Sequence, residues 1–227
     1  DSWRAPELMA RVRKHQPRIV MNNRLYYSPN VEGDNLGIFD TSKGDFTTPE
    51  QHIPATGTPG VDWEACMTLN GTWGYSQHDL RWKTAETLIR NTVDIASKGG
   101  NYLINLGPRA DGSIPEPIAV RFRELGAWMQ RYGDSIYATT ANPLGAVPWG
   151  RITAKPGRYY LHVFDWPKNH QIEVPLRNSS RLSAWMLADS RRTPLACERT
   201  DQGVRITLQP AFLNPYVSVA VLEAGSP

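Results

Sequence analysis

TAETLIRNTVDIASKGGNYLINLGPRADGSIP, Thr84 to Pro115, is the stretch that decides the fold. Thr84 is a fair N-cap, Ala85, Leu88, Ile89, Val93 and Ala96 recur at helical spacing, and Lys98-Gly99-Gly100 supplies the stop. The run Tyr102-Leu-Ile-Asn-Leu106 then reads as a buried strand, broken sharply by Gly107-Pro108 and Asp111-Gly112. Pro115 and Pro117 open a second helix, with Ile118, Phe122, Leu125, Met129 and Tyr132 at steps of four and three. Helix, buried strand, helix is the texture of an α/β fold.

Toward the N-terminus, Pro6, Leu8, Met9 and Val12 mark a short amphipathic helix that ends near His15, because Pro17 biases Gln16 away from helical dihedrals. Arg18-Ile-Val-Met-Asn22 reads as a short buried strand. From Leu25 to Thr58 the text is Gly, Pro, Asn, Asp and Thr with little periodicity, and a long ordered loop of that kind is usually functional. It contains GDFTTPEQ, Gly44 to Gln51, read as a shaped loop carrying Asp45 and Glu50. Val61, Trp63, Met67, Leu69 and Trp73 come close to alternation, which predicts a strand ending near Asn70 or Trp73.

Strand, loop, strand, helix, strand, helix matches consecutive pieces of a (β/α) barrel, although a closed barrel needs about 250 residues. After about Ala138 the texture changes to short strands and turns: Arg151–Ala154, Arg158–Phe164, Gln171–Val174, Leu182–Leu187, Val204–Leu208 and Tyr216–Leu222. These predict an antiparallel β-sandwich. The expected organisation is therefore a partial barrel over residues 1–140 and a sandwich over 141–227.

A hydrophobic fraction of 40% and a charged fraction of 21% exclude disordered and collagen-like classes. The net charge of +3 is scattered rather than gathered into a tract, so nucleic acid is not the expected partner. There is no run of 18 apolar residues, so no membrane-spanning helix is expected. The five histidines show no ligand spacing, and no dinucleotide, Walker or nucleophile-elbow motif is present. No metal or cofactor is expected. Cys66 and Cys197 read as unrelated buried thiols, with one disulfide as the alternative. The chain opens on Asp1 with no charged-then-apolar leader, as a processed chain or a piece of a longer one would.

In a barrel, active-site groups sit in loops at the carboxyl ends of strands. Spacing alone then proposes a constellation of Arg24, Asp45, Glu50, Glu64 and Trp73. An arginine beside paired carboxylates with an aromatic wall suits glycosidic hydrolysis. Taken singly, Glu50 reads first as a solvated surface charge and Arg24 as half of a surface ion pair.

QPRIVMNNR (Gln16–Arg24), GDFTTPEQ, PGVDWEACMTLNGTWGY (Pro59–Tyr75), SKGGNYLINLGPRADGSIP (Ser97–Pro115) and GDSIYAT (Gly133–Thr139) together resemble the glycoside hydrolase family 29 α-L-fucosidases in order, spacing and content. The resemblance covers residues 1 to about 140, and the sandwich matches the family's C-terminal β domain more loosely. It implies retaining hydrolysis of terminal α-L-fucosides without metal or cofactor. An aspartate attacks C1 and a glutamic acid protonates the leaving oxygen. Glu50 resembles the acid/base of members with a T-x-E segment, and Glu64 of the W-E pair resembles the residue assigned that role in others. Glu50 is favoured, because a Pro-held loop can bring a carboxyl over the sugar. Arg24 resembles the arginine that contacts the sugar and the nucleophile, and Trp73 the aromatic that packs on the fucose methyl.

The family's nucleophilic aspartate and hydroxyl-binding histidines come from the barrel's N-terminal half, and Asp1 matches the acid of a D-W segment just after the nucleophile's strand. The implied partners are fucosylated glycans, plus a complementary barrel half or further copies of this chain across the open sheet edges. Export, to the periplasm or beyond, follows from the resemblance alone. The competing readings are a catalytically inactive, carbohydrate-binding or self-assembling partial barrel, and a sandwich whose Trp149, Trp166 and Trp185 form an exposed sugar platform.

Overall fold

In a computed structural model the described residues are 4–26, 43–58, 60–177, 179 and 181–225. Asp1 and most of the stretch between Leu25 and Gly44 therefore lie outside them. The chain forms two compact units, Asp1–Thr68 with Gly100–Asn105, and Leu69–Gly99 with Leu106–Pro227.

The first unit begins with helix α1 (Ala5–His15), which has Pro6 in its opening turn, Glu7 near its positive end and Arg13, Lys14 and His15 near its negative end. A single 3₁₀ turn follows at Asn23–Leu25. Strands β1 (Phe46–Thr47), β2 (Asp62–Thr68) and β3 (Asn101–Asn105) make a parallel sheet in that order. β2 is central, and its residues from Ala65 to Thr68 are buried in succession, the burial expected of a strand covered on both faces. The strand expected at Arg18–Asn22 is reduced to one parallel bridge between Asn22 and Phe46. Val20 is 68% exposed. Its apolar run meets no neighbouring strand among the described residues, so no ladder forms.

In the second unit helix α2 (Ala85–Ser97) starts where the Thr84 hydroxyl accepts the Thr87 N–H at 3.1 Å, and it stops at Lys98, before Gly99 with φ of +77°. It buries Leu88, Ile89, Val93 and Ile95. Helix α3 (Glu116–Tyr132) buries Ile118, Leu125, Trp128 and Tyr132. Trp128, which the four-three pattern passed over, is held by its indole N–H to the Val217 carbonyl at 3.0 Å.

The same unit continues with β4 (Gly150–Lys155), β5 (Arg158–Val163), β6 (Gln171–Val174), β7 (Leu182–Met186), β8 (Cys197–Thr200), β9 (Gly203–Thr207) and β10 (Ser218–Ala224). They build two antiparallel sheets, β4-β5-β10-β7 and β6-β9-β8, which share one apolar core containing Ile152, Leu161, Ile172, Met186, Ile206 and Leu222. The seventh strand, β8, is one that alternation missed. It is an edge strand reading Cys-Glu-Arg-Thr, and charges on an edge blunt the apolar signal. Trp149 and Trp185 are buried, which rules out the platform proposed for the sandwich. The Trp149 indole donates to the Glu173 carbonyl at 2.9 Å, and Trp166 donates to His170 Nδ1 at 2.8 Å. Cys66 and Cys197 are both free thiols. Among the described residues no helix is long and apolar enough to cross a membrane.

His162 on β5 is fully enclosed. Its Nε2 lies 3.1 Å from the Thr153 hydroxyl, which itself donates to the Ser135 carbonyl at 2.6 Å, so Nε2 carries the proton. Burial pushes the imidazole from 6.5 down to about 3. The unfolded chain takes up a second ring proton at the ordinary value and the folded chain does not, so stability is complete above about pH 6.5 and falls as pH drops toward 3. Denaturant unfolding at stepped pH should show up to roughly 1.4 kcal/mol lost per pH unit in that window. His162→Gln should flatten that slope, and an unchanged slope would remove His162 from the acid sensitivity.

Candidate active site

Arg24 is presented by a short, heavily cross-linked segment. The Asn22 side chain caps the 3₁₀ turn by accepting the Arg24 N–H at 3.1 Å. Beside it, Gly44 has φ of +78°, and a Cβ there would sit 2.7 Å from the Asn22 carbonyl carbon. Only glycine lets the two backbones approach this closely. The next residue, Asp45, accepts the Met21 N–H at 2.8 Å and Arg13 Nη2 at 2.7 and 2.6 Å on its two oxygens. The Met21 N–H first, and then Arg13, hold its carboxyl below the usual range. Asp45 thus splices α1 to the start of β1 and is engaged there.

GDFTTPEQ is more regular than its composition suggested. Phe46–Thr47 form β1, and Glu50 makes a parallel bridge to Cys66 of β2. Pro49 has no N–H, but its carbonyl accepts the Cys66 N–H at 3.0 Å, and the Gln51 N–H donates to the Cys66 carbonyl at 2.9 Å. The segment continues β1 past its proline. Gln51 then turns with φ of +59°, uncommon for a residue with a side chain, and its amide pairs with Thr68 at 3.0 and 3.2 Å.

That register brings Glu50 to Arg24. Arg24 Nη1 lies 2.7 Å from Glu50 Oε2, and the Glu50 side chain is only 15% exposed. Arg24 Nε donates to Thr48 Oγ1 at 2.9 Å and Nη2 to Cys66 Sγ at 3.0 Å. The Thr48 hydroxyl in turn donates a hydrogen bond to Asn23 Oδ1 at 3.1 Å. Burial raises the Cys66 thiol above its ordinary value, so it meets the guanidinium as a neutral sulfur. The result is a half-buried cation with a carboxylate, a hydroxyl and a sulfur each in a set direction. Such an arrangement holds a carboxyl in one orientation, as proton transfer to a bound oxygen requires.

Glu64 lies two residues earlier on β2, about 7 Å toward the amino end of the strand. It pairs in register with Asn101 at the start of β3. With Arg13, Arg18, Asp45, Trp63 and Asn101 it lines a cavity of about 550 Å³. Of the five residues proposed by spacing, the structure unites Arg24 with Glu50, and Asp45 with Glu64 at the amino ends of the strands. Trp73 belongs to the second unit, where it is 42% exposed on a turn closed by the Thr72 hydroxyl to the Gly74 carbonyl at 3.0 Å. Asn23, Thr48 and Gln51 were not singled out in the sequence, and Cys66 was read there only as a buried thiol. Their one signal was membership of the quoted motifs.

A family model described as alpha-L-fucosidase matches residues 1–134. Plasma alpha-L-fucosidase of Homo sapiens is 27% identical over 199 residues, covering 74% of this chain and 42% of that protein. Alpha-L-fucosidase of Branchiostoma floridae is 32% identical over 139 residues, covering 54% of this chain and 29% of that one. Among solved structures, alpha-L-fucosidase isoenzyme 1 from Paenibacillus thiaminolyticus superimposes with a TM-score of 0.82 at 31% identity, over 99% of this chain and 54% of that one. The alpha-L-fucosidase from Vibrio sp. strain EJY3 gives 0.80 at 28%, over 97% of this chain and 38% of that one. The chain belongs to the alpha-L-fucosidase family, glycoside hydrolase family 29. It spans less than half the length of these curated relatives.

Gly44→Ala should lower unfolding free energy by about 1–3 kcal/mol in urea titration, because it adds strain at a left-handed position and a clash with Asn22. An unchanged midpoint would mean that the two backbones do not meet as described.

Proposed function

We propose that this chain supplies the acid/base side of a retaining α-L-fucosidase. The observation that carries the proposal is the half-buried Arg24–Glu50 pair, held at 2.7 Å inside the family-matched region. Glu50 gives its proton to the glycosidic oxygen as the bond to C1 breaks. An aspartate from a preceding barrel half forms the fucosyl ester at C1. Glu50 then takes a proton from water as that water hydrolyses the ester. In a retaining enzyme the two carboxyl groups stand about 5–5.5 Å apart. Arg24 orients Glu50 and faces the sugar, and Trp73 meets the fucose methyl. Glu50 is preferred to Glu64 because it bridges Cys66, two residues nearer the carboxyl end of β2, the end at which barrel enzymes bind substrate, than Glu64. The scheme uses no metal or cofactor.

The sheet β1-β2-β3 serves in this scheme as the C-terminal part of a (β/α) barrel within residues 1–140, with residues 141–227 as the β domain. The outer strands β1 and β3 are where a complementary half, or another copy of the chain, would pair. Exposed Val20 and Leu103 are apolar surface that such a partner would cover. The substrates are fucosylated glycans met outside the cytoplasm.

In the protein completed by its nucleophile-bearing half, Glu50→Ala should lower kcat/KM on an aryl α-L-fucoside by about 10²–10⁴ and regain turnover with azide. Glu64→Ala should stay within a few-fold and gain nothing from azide. Rescue of Glu64→Ala instead would transfer the role to Glu64. The 227-residue chain by itself should be inactive, and hydrolysis by it would overturn the need for a second half.

A further inference from the structure

Two loops leave the carboxyl ends of β2 and β3, and both belong to the second unit. The first carries Trp73 and Tyr75, which are 42% and 44% exposed. Asp79 stiffens it, its carboxylate accepting the Gly71 N–H at 2.7 Å and the Arg81 N–H at 3.3 Å. The second loop is a closed turn. The Arg109 N–H reaches the Ser113 carbonyl, the Gly112 N–H the Arg109 carbonyl and the Ser113 N–H the Asp111 carboxylate, each at 2.9 Å. The loops are locked together at Gly107, where a Cβ would stand 2.7 Å from both the Gly74 carbonyl carbon and the Tyr75 nitrogen. Across this junction the exposed Arg109 guanidinium lies 5.7 Å from the centre of the Tyr75 ring.

A tyrosine ring that is 44% exposed, with a guanidinium over it, on two loops whose backbones meet closely at Gly107, sets aromatic surface beside a hydrogen-bond donor, the pairing that suits a pyranose ring. The aromatic face covers the ring's C–H surface and the guanidinium donates to its hydroxyls. Core packing does not account for the pair, since both residues face solvent.

We propose that Tyr75 and Arg109 form the leaving-group subsite, holding the sugar to which fucose is attached. Tyr75 stacks on that ring, and Arg109 hydrogen-bonds its hydroxyls. The assignment rests on the fucosidase reading. It places the platform two residues along the chain from Trp73, the residue assigned to fucose, and on loops that follow the carboxyl ends of barrel-type strands.

The test compares two substrates in the completed protein: a fucosylated lactose, whose leaving group is a sugar, and α-L-fucosyl fluoride, whose leaving group has no ring. Tyr75→Ala should lower kcat/KM on the trisaccharide about tenfold and leave the fluoride within twofold, the scale of one aromatic contact. Arg109→Ala should act in the same direction, and Tyr75→Phe should retain near-parent values. Saturation-transfer NMR with lactose alone should show contact that Tyr75→Ala abolishes. Equal losses on both substrates, no loss on either, or lactose contact unchanged in Tyr75→Ala would each overturn the subsite. If the parent turns over neither substrate, the fucosidase reading fails, and the lactose contact still reads the platform by itself.

Discussion

The arrangement of the candidate site depends on the parallel register between the GDFTTPEQ segment and β2. Phe46 faces Asp62, Thr47 faces Trp63, and three residues later Glu50 faces Cys66. A shift of one residue would turn Glu50 to the opposite face of the sheet. The register is held from both ends. Gly44 and Asp45 bind the Met21–Asn22 backbone at one end, and Gln51 binds Thr68 at the other. Between these anchors Arg24 meets Thr48, Glu50 and Cys66 together, so the cation is satisfied in a place where an unpaired charge would be costly.

The second unit solves a different problem. Its two antiparallel sheets close on a shared apolar core, and helices α2 and α3 join them through a few directional contacts. Asp94 of α2 receives both Lys98 of its own helix and Arg151 of β4. Trp128 and Glu124 of α3 reach the Val217 carbonyl and the Tyr216 hydroxyl. The same unit carries the loop pair with the exposed Trp73 and Tyr75, held by Asp79 and by the close approach of Gly107 to Gly74.

Much of the fold was legible because each signal was local. The Thr84 cap, the Gly99 stop, the proline-opened α3 and six of the seven strands of the β domain depend on near neighbours in sequence. The failures came where the deciding partner was remote. Arg18–Asn22 has strand composition, yet pairing requires a neighbour that the described residues do not supply. β8 looked like a loop because an edge strand bears charge. Trp149, Trp166 and Trp185 looked like a platform because indole composition does not say whether the N–H points to solvent or to a backbone carbonyl.

By itself the sequence determined the alternation of helix and strand, the family through five motifs, and the short set of acids and bases worth considering. It could not say which acid Arg24 would meet. Spacing alone set Asp45 and Glu64 beside Glu50, and the preference for Glu50 rested on the resemblance and its proline-held loop, not on any contact with Arg24. Only the tertiary structure separated them, because strand register is a long-range property. It sent Asp45 to Arg13, left Glu64 at the amino end of β2, and placed Glu50 against Arg24. The physical reason is that hydrogen bonds between β-strands fix side-chain position to one residue, a precision that composition and spacing do not contain.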